Sequence, residues 1–476
     1  MKKESRNKYL FKNTIIFSIG NFGSKIINFF LVPLYTNILT TAEYGTVDLM
    51  TVLTTVFVPI ITLNISEAVM RFSMDKDSKK ENILIIGIII AIIAALISIV
   101  LIPIFKIFKI TSNYSILLSL YILTFETATI LLCYIRGVEK LLDYSIISIV
   151  QTASIAILNI IFLTKFKMGI RGYILAYTIA YILTTVLCLI RGNVRTNIKK
   201  AKIDKKLFKD MLKYSILLIP NSLMWWIMDS LDRVMVTSMI NVSANGVYAV
   251  SYKIPAILTT LTSIFNQAWM FSAVKEKDSQ DKNEYTTKVF MGLSVCVTTI
   301  TVLLFIILKP LLRVYVGESF YDAWKYVPPL LVGSSVLTLG TFLSNEYNVH
   351  KDSKGFLYSS LIGAVANLIL NYLLIPRIGI LGAAIATCIS YIIVFFFRMY
   401  DTKKYVKVKY NNLNFIISWV LVVISAVAVY VSKYGWVLNL FIFSILFINN
   451  KKFWKNFLMD FFKILKLKRE KIWYGR

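Results

Sequence analysis

The residues of this chain that could do chemistry are the ionisable and amide side chains that interrupt its apolar runs. A charge in hydrocarbon costs several kcal/mol, so those present face a cavity, a partner or a ligand. Ser18, Asn21, Lys25 and Asn28 recur at intervals of three, four and three. That spacing sets them on one face of a helix, with Lys25 near mid-membrane, where a positive charge would face a lumen. Ser222, Trp225, Asp229 and Asp232 form a second stripe, with Arg233 four residues after Asp229. Asp229 and Arg233 can pair at that interval and bury both charges without a ligand, or Arg233 can hold an anion. Lys253 is expected one and a half turns into the next run, close enough to its outer third to reach water. Glu126 stands in mid-run with no local partner; pairing with Lys25 and titration are both open to it. Glu67 and Arg71 form a further expected i,i+4 pair. Asp229, Asp232 and Glu126 are the carboxylates that could couple a proton or a sodium ion.

The elements that must position these residues are long. Of the 476 residues 57% are hydrophobic, and apolar runs of about 20 residues recur from Thr14 to Ile448. Each is long enough to cross the roughly 30 Å hydrocarbon layer as a helix. The runs are continuous rather than alternating, which excludes a spanning barrel. Fourteen spans are expected, among them 14–37, 46–66, 115–135, 214–239, 247–272 and 327–349. The net charge of +28 is mostly a topology signal. With the N-terminus inside, 40 of the 53 Lys and Arg fall on the cytoplasmic side, 10 outside and three within spans. Both termini are therefore expected in the cytoplasm, and nucleic acid is not an expected partner. The four cysteines lie inside expected helices at no metal-ligand spacing and read as small core residues.

The halves repeat. Thr40-Thr41-Ala42-Glu43-Tyr44-Gly45 is echoed by Val242-Ser243-Ala244-Asn245-Gly246-Val247-Tyr248, and Lys140-Leu141-Leu142-Asp143-Tyr144-Ser145 by Lys354-Gly355-Phe356-Leu357-Tyr358-Ser359. Gly169-Ile170-Arg171-Gly172 is echoed by Gly379-Ile380-Leu381-Gly382. The expected organisation is an N-terminal six-helix bundle at 1–200, a second at 201–410, two further helices at 411–450 and a basic amphipathic cytoplasmic tail at 451–476. In the tail Phe453, Phe457, Phe461 and Leu465 recur among lysines, the pattern of an interfacial helix held by anionic lipid.

There is no Walker motif, and the only histidine, His350, has no Cys or His beside it, so neither an ATP-driven pump nor a zinc site is expected. The outside loops are short and hold no paired acidic motif, so a membrane glycosyltransferase is not expected and the chain reads as no enzyme. The sequence resembles the polysaccharide transporters, the Wzx-type oligosaccharide or O-antigen flippases of the multidrug/oligosaccharidyl-lipid/polysaccharide superfamily. The resemblance rests on Phe29-Phe30-Leu31-Val32-Pro33-Leu34-Tyr35, Glu43-Tyr44-Gly45, Asp232-Arg233, Gly246-Val247-Tyr248 running into Tyr252-Lys253-Ile254-Pro255, Asn266-Gln267-Ala268-Trp269, and the two Gly-Ile-x-Gly hairpins. It implies an all-α polytopic membrane protein with a MATE-like fold, two six-helix bundles plus two helices around a cationic cavity that opens alternately to each side. The implied cargo is an undecaprenyl-diphosphate-linked oligosaccharide crossing the bacterial cell membrane, with a polysaccharide polymerase as a possible partner. Lys25, Arg233 and Lys253 would then neutralise the diphosphate, while Asn21, Asn28, Ser222 and Trp225 would line the cavity and contact sugar. No cofactor is expected beyond a coupling H+ or Na+. The alternatives are a cation-coupled multidrug antiporter of the same superfamily and a lipid II flippase.

Overall fold

The structure is a computed structural model and describes residues 23, 25–75, 78–107, 110–192, 194, 201–410, 413–431, 434–457 and 459. Ser18, Asn21 and most of the 451–476 tail lie outside the described residues. Within them every regular element is a helix. They group into two compact units: Met1–Val250 with Tyr315–Asp322 and Asn371–Ile380, and Ser251–Val314 with Ala323–Leu370 and Leu381–Arg476.

In the first unit, α1 covers helical residues 25–38. It is followed by α2 (Thr41–Ile61), α3 (Ile65–Ser73), α4 (Lys80–Val100), α5 (Ile102–Ile107), α6 (Ser115–Gly137), α7 (Leu141–Ile160), α8 (Gly169–Arg191), α9 (Lys205–Met239) and α10 (Val242–Ser251). A capping box starts α2: Glu43 N donates to Thr40 Oγ1 at 3.2 Å and Thr40 N to Glu43 Oε2 at 2.9 Å. Asp204 starts α9 by accepting from the amides of Lys206 and Leu207. The expected span 46–66 is broken, because Leu63 and Asn64 adopt left-handed φ of 51° and 54° and the chain re-enters helix at Ile65. Arg71 pairs with Asp75 rather than with Glu67. In α4, Ile92, Leu96 and Val100 lie one turn apart and are all largely exposed, a stripe that suits lipid.

The second unit holds α11 (Lys253–Lys275), α12 (Lys282–Tyr315), α13 (Val327–Val349), most of α14 (Ser353–Ile378), α15 (Ile380–Asp401), α16 (Leu413–Ala428) and α17 (Gly435–Asn449). Among the described residues nine helices are long and apolar enough to cross a membrane, namely α2, α4, α6, α7, α8, α12, α13, α14 and α15, and α16 and α17 are shorter apolar helices. The remaining three of the fourteen expected spans are 14–37, of which only residues 23 and 25–37 are described, and those on α9 and α11, whose apolar character is diluted by polar residues. The expected span 247–272 is interrupted at Tyr252, so Lys253 heads α11 instead of standing inside a helix.

Turns recur between the halves. Glu139 and Lys351 both take a left-handed φ, of 61° and 56°, and the next amides return to Ile135 O at 3.1 Å and Tyr347 O at 2.8 Å, the same helix-ending bond five residues back. Gly169 and Gly379 open the two Gly-Ile-x-Gly hairpins with φ of +54° and +63°, a region that glycine enters without strain.

A polar cluster closes one end of α12–α15. Lys282 Nζ lies 2.9 Å from Glu346 Oε2, and both side chains are buried. His350 stacks on Tyr405 with ring centroids 4.2 Å apart. The Tyr405 hydroxyl donates to Asp352 Oδ2 at 2.8 Å, and Lys404 Nζ bridges Asp352 and Asp401 at 3.0 Å each. The Gly355 amide and then Lys404 hold the Asp352 carboxyl down at about 2.

Candidate functional site

Three helices of the first unit meet at a polar cluster: α2, α9 and α10. Gly45 and Gly246 make the approach possible. A Cβ on Gly45 would lie 2.0 Å from Val242 O, and one on Gly246 2.0 Å from Thr41 O, so the backbones of α2 and α10 touch where any side chain would part them. These glycines are the ones that the two echoing segments share. Trp226 Nε1 donates to Val52 O at 3.1 Å, and Asn64 Nδ2 to Ser222 Oγ at 3.3 Å, which fasten α9 to α2 and to the turn between α2 and α3.

Arg233 Nη1 donates to Asp48 Oδ1 at 3.1 Å, with the arginine side chain 17% and the aspartate 10% exposed. Asn245 Nδ2 donates to Asp48 Oδ2 at 3.3 Å and to Gly45 O at 3.1 Å. Both Asp48 oxygens are thus engaged, one by a cation and one by an amide. The Tyr248 hydroxyl donates to Asp232 Oδ2 at 2.6 Å, and the Arg233 amide to Asp232 Oδ1 at 2.8 Å. Asp232 is fully buried. A guanidinium offers five N–H donors in a planar fork, more than one carboxylate can use, so an arginine beside a carboxylate can also take a phosphate-type oxyanion.

The structure therefore gathers Asp232 and Arg233 with Asp48, Asn245 and Tyr248. Ser222 is two turns or more away on α9, bonded to Asn64; Trp225 is partly buried and Asp229 exposed. Asp229 Oδ2 accepts from Ser230 at 3.4 Å. Lys25 and Asn28 are exposed on α1. Lys253 is partly buried at the start of α11 in the second unit. Glu126 is fully buried, and neither of its oxygens has a hydrogen-bond partner among the described residues, so the expected pairing with the exposed Lys25 is not found. Asp48 escapes sequence reasoning because it stands two residues into the expected span, where charge is usual. The rule that selects Glu126, a carboxylate in an apolar run, selects Asp48 as well. Among the described residues no three His, Cys, Asp or Glu come together as metal ligands.

A family described as "Polysaccharide biosynthesis protein" matches residues 10–271. The chain belongs to this family. An uncharacterized membrane protein of Methanocaldococcus jannaschii is 25% identical over 242 residues, 48% of this chain and 45% of that protein, so the match spans less than half of that relative's length. The lipid II flippase MurJ in an inward closed conformation superposes with a TM-score of 0.71 at 15% identity, over 93% of this chain and 100% of that one. An inward-facing multidrug resistance MATE family transporter of the MOP superfamily gives 0.64 at 13% identity, over 82% and 95%. Identities this low speak of fold alone. The fold of this family member is accordingly all-α, polytopic and MATE-like.

Proposed function

We propose that the protein carries a polyprenyl-diphosphate-linked oligosaccharide from the cytoplasmic to the outer leaflet of a bacterial cell membrane by alternating access, for assembly of a cell-surface polysaccharide. The observation that carries this reading is Arg233, a mostly buried cation on α9, held by Asp48. A diphosphate offers more oxygens and more charge than one carboxylate, and can replace Asp48 at the guanidinium while Asn245 keeps Asp48 in place. Lys25 is a further cation for that head group. Asn21, Asn28, Ser222 and Trp225 are the groups for sugar, and the lipid tail stays in the bilayer. The cytoplasmic placement of both termini, an anionic-lipid contact of the basic tail and co-operation with a polysaccharide polymerase belong to the same reading.

The test is deletion of the gene followed by leaflet-resolved analysis of lipid-linked intermediates. Accumulation of a polyprenyl-linked oligosaccharide on the cytoplasmic face is expected; its absence would refute the cargo assigned here.

A further inference from the structure

Glu126 occupies a place where a hydrocarbon side chain would be more stable. Leu118, Ile122, Glu126 and Ile130 follow one another at intervals of four on α6, and each is at most 2% exposed. This is the stripe by which α6 packs into its bundle, and one of its four positions is a carboxyl. Neither oxygen of that carboxyl has a hydrogen-bond partner among the described residues. An ionised carboxylate so placed is prohibitively costly, and a buried group in this position takes up a proton instead.

Among the described residues the surroundings supply no substitute for that proton. α6 packs against α2, α3, α4, α5, α7 and α8. Their charged groups are Glu43 and Asp48 on α2, Glu67 and Arg71 on α3, Lys80 and Glu81 on α4, Lys106 on α5, Asp143 on α7, and Arg171 and Arg191 on α8, with Arg136 on α6 itself. Arg71 pairs with Asp75, Arg191 with Asp143, and Asp48 with Arg233. The other titratable groups on these helices are neutral hydroxyls and thiols: Tyr121, Cys133 and Tyr134 on α6, Tyr44 on α2, Tyr144 on α7, and Tyr173, Tyr177, Tyr181 and Cys188 on α8. A hard cation such as sodium needs several oxygen ligands at once. Among the described residues no three His, Cys, Asp or Glu side chains come together as cation ligands.

We propose that Glu126 is a proton-binding site: its carboxyl is neutral in the packed bundle and releases its proton when a rearrangement of α6 brings it to water. One O–H bond is broken on release and remade on return, with water as the acceptor and donor. Coupling of that proton to cargo movement rests on the flippase reading; the proton site itself does not. A residue that costs stability in one conformation and ionises in another gives the protein a means of responding to a proton gradient.

The test uses the purified full-length protein and dicyclohexylcarbodiimide, an apolar reagent that reacts with protonated carboxyls. The carboxyl proton passes to a carbodiimide nitrogen, the oxygen adds to the central carbon, and acyl transfer leaves a stable N-acylurea that peptide mass spectrometry locates. Glu126 should be modified near pH 6, at least about tenfold less near pH 10, and the adduct should be missing from Glu126→Gln. No modification of Glu126 near pH 6, or equal modification at both pH values, would overturn the proposal. Because this readout needs no cargo, a failed leaflet assay would remove the function proposed above and leave this result standing.

Discussion

Asp48 and Arg233 lie 185 residues apart in sequence and 3.1 Å apart in the fold. Removing one member of a mostly buried ion pair leaves the other charge without its counterion, at a cost of about 3 kcal/mol. Asp48→Ala should therefore lower the melting midpoint in detergent more than the double variant Asp48→Ala/Arg233→Ala, with a coupling of about 1–3 kcal/mol from the four-variant cycle. Additive effects would show that the pair is an accident of proximity. The sequence makes Arg233 legible as a buried cation but gives it a different counterion, Asp229, because helix periodicity sees only neighbours three or four residues away. Asp48 becomes its partner through the contact of α2 with α9, which no local pattern contains.

At the scale of elements, the crossing of α2 and α10 depends on two glycines. Gly45→Ala and Gly246→Ala each drive a methyl into a backbone carbonyl, so the helices must separate; a loss of about 2–3 kcal/mol is expected for each. Gly379→Ala is the contrast. Nothing lies within 4 Å of its would-be Cβ, and only the left-handed backbone resists, at about 1 kcal/mol. Thermal unfolding of the three variants should rank them in that order. The turn into α14 is the other element with a defined cost. The Gly355 amide and Lys404 hold the Asp352 carboxyl at about 2, below the usual carboxylate range, so its contribution is fully present above pH 4 and is lost as pH falls towards 2. After allowance for solvent screening, Asp352→Ala should cost about 1 kcal/mol at neutral pH. That difference from the parent should shrink between pH 4 and pH 2 in unfolding curves; a constant difference would mean that the carboxylate charge does nothing there.

At the scale of the whole molecule, the distribution of Lys and Arg makes one further demand. Reporters fused after residue 476 and within the 191–213 stretch should both read as cytoplasmic, since 40 of 53 basic residues favour that side. An external reading at either point would invert the assigned path of the cargo. The sequence by itself determined that the chain is a helical membrane protein of this family, because apolar run length, glycine turns and short motifs are local properties of the chain. Only the tertiary structure decided the breaks at 62–64 and at Tyr252, the Asp48 counterion and the isolation of Glu126. Those depend on which helix faces which, and that is set by side chains from distant segments competing for the same buried space.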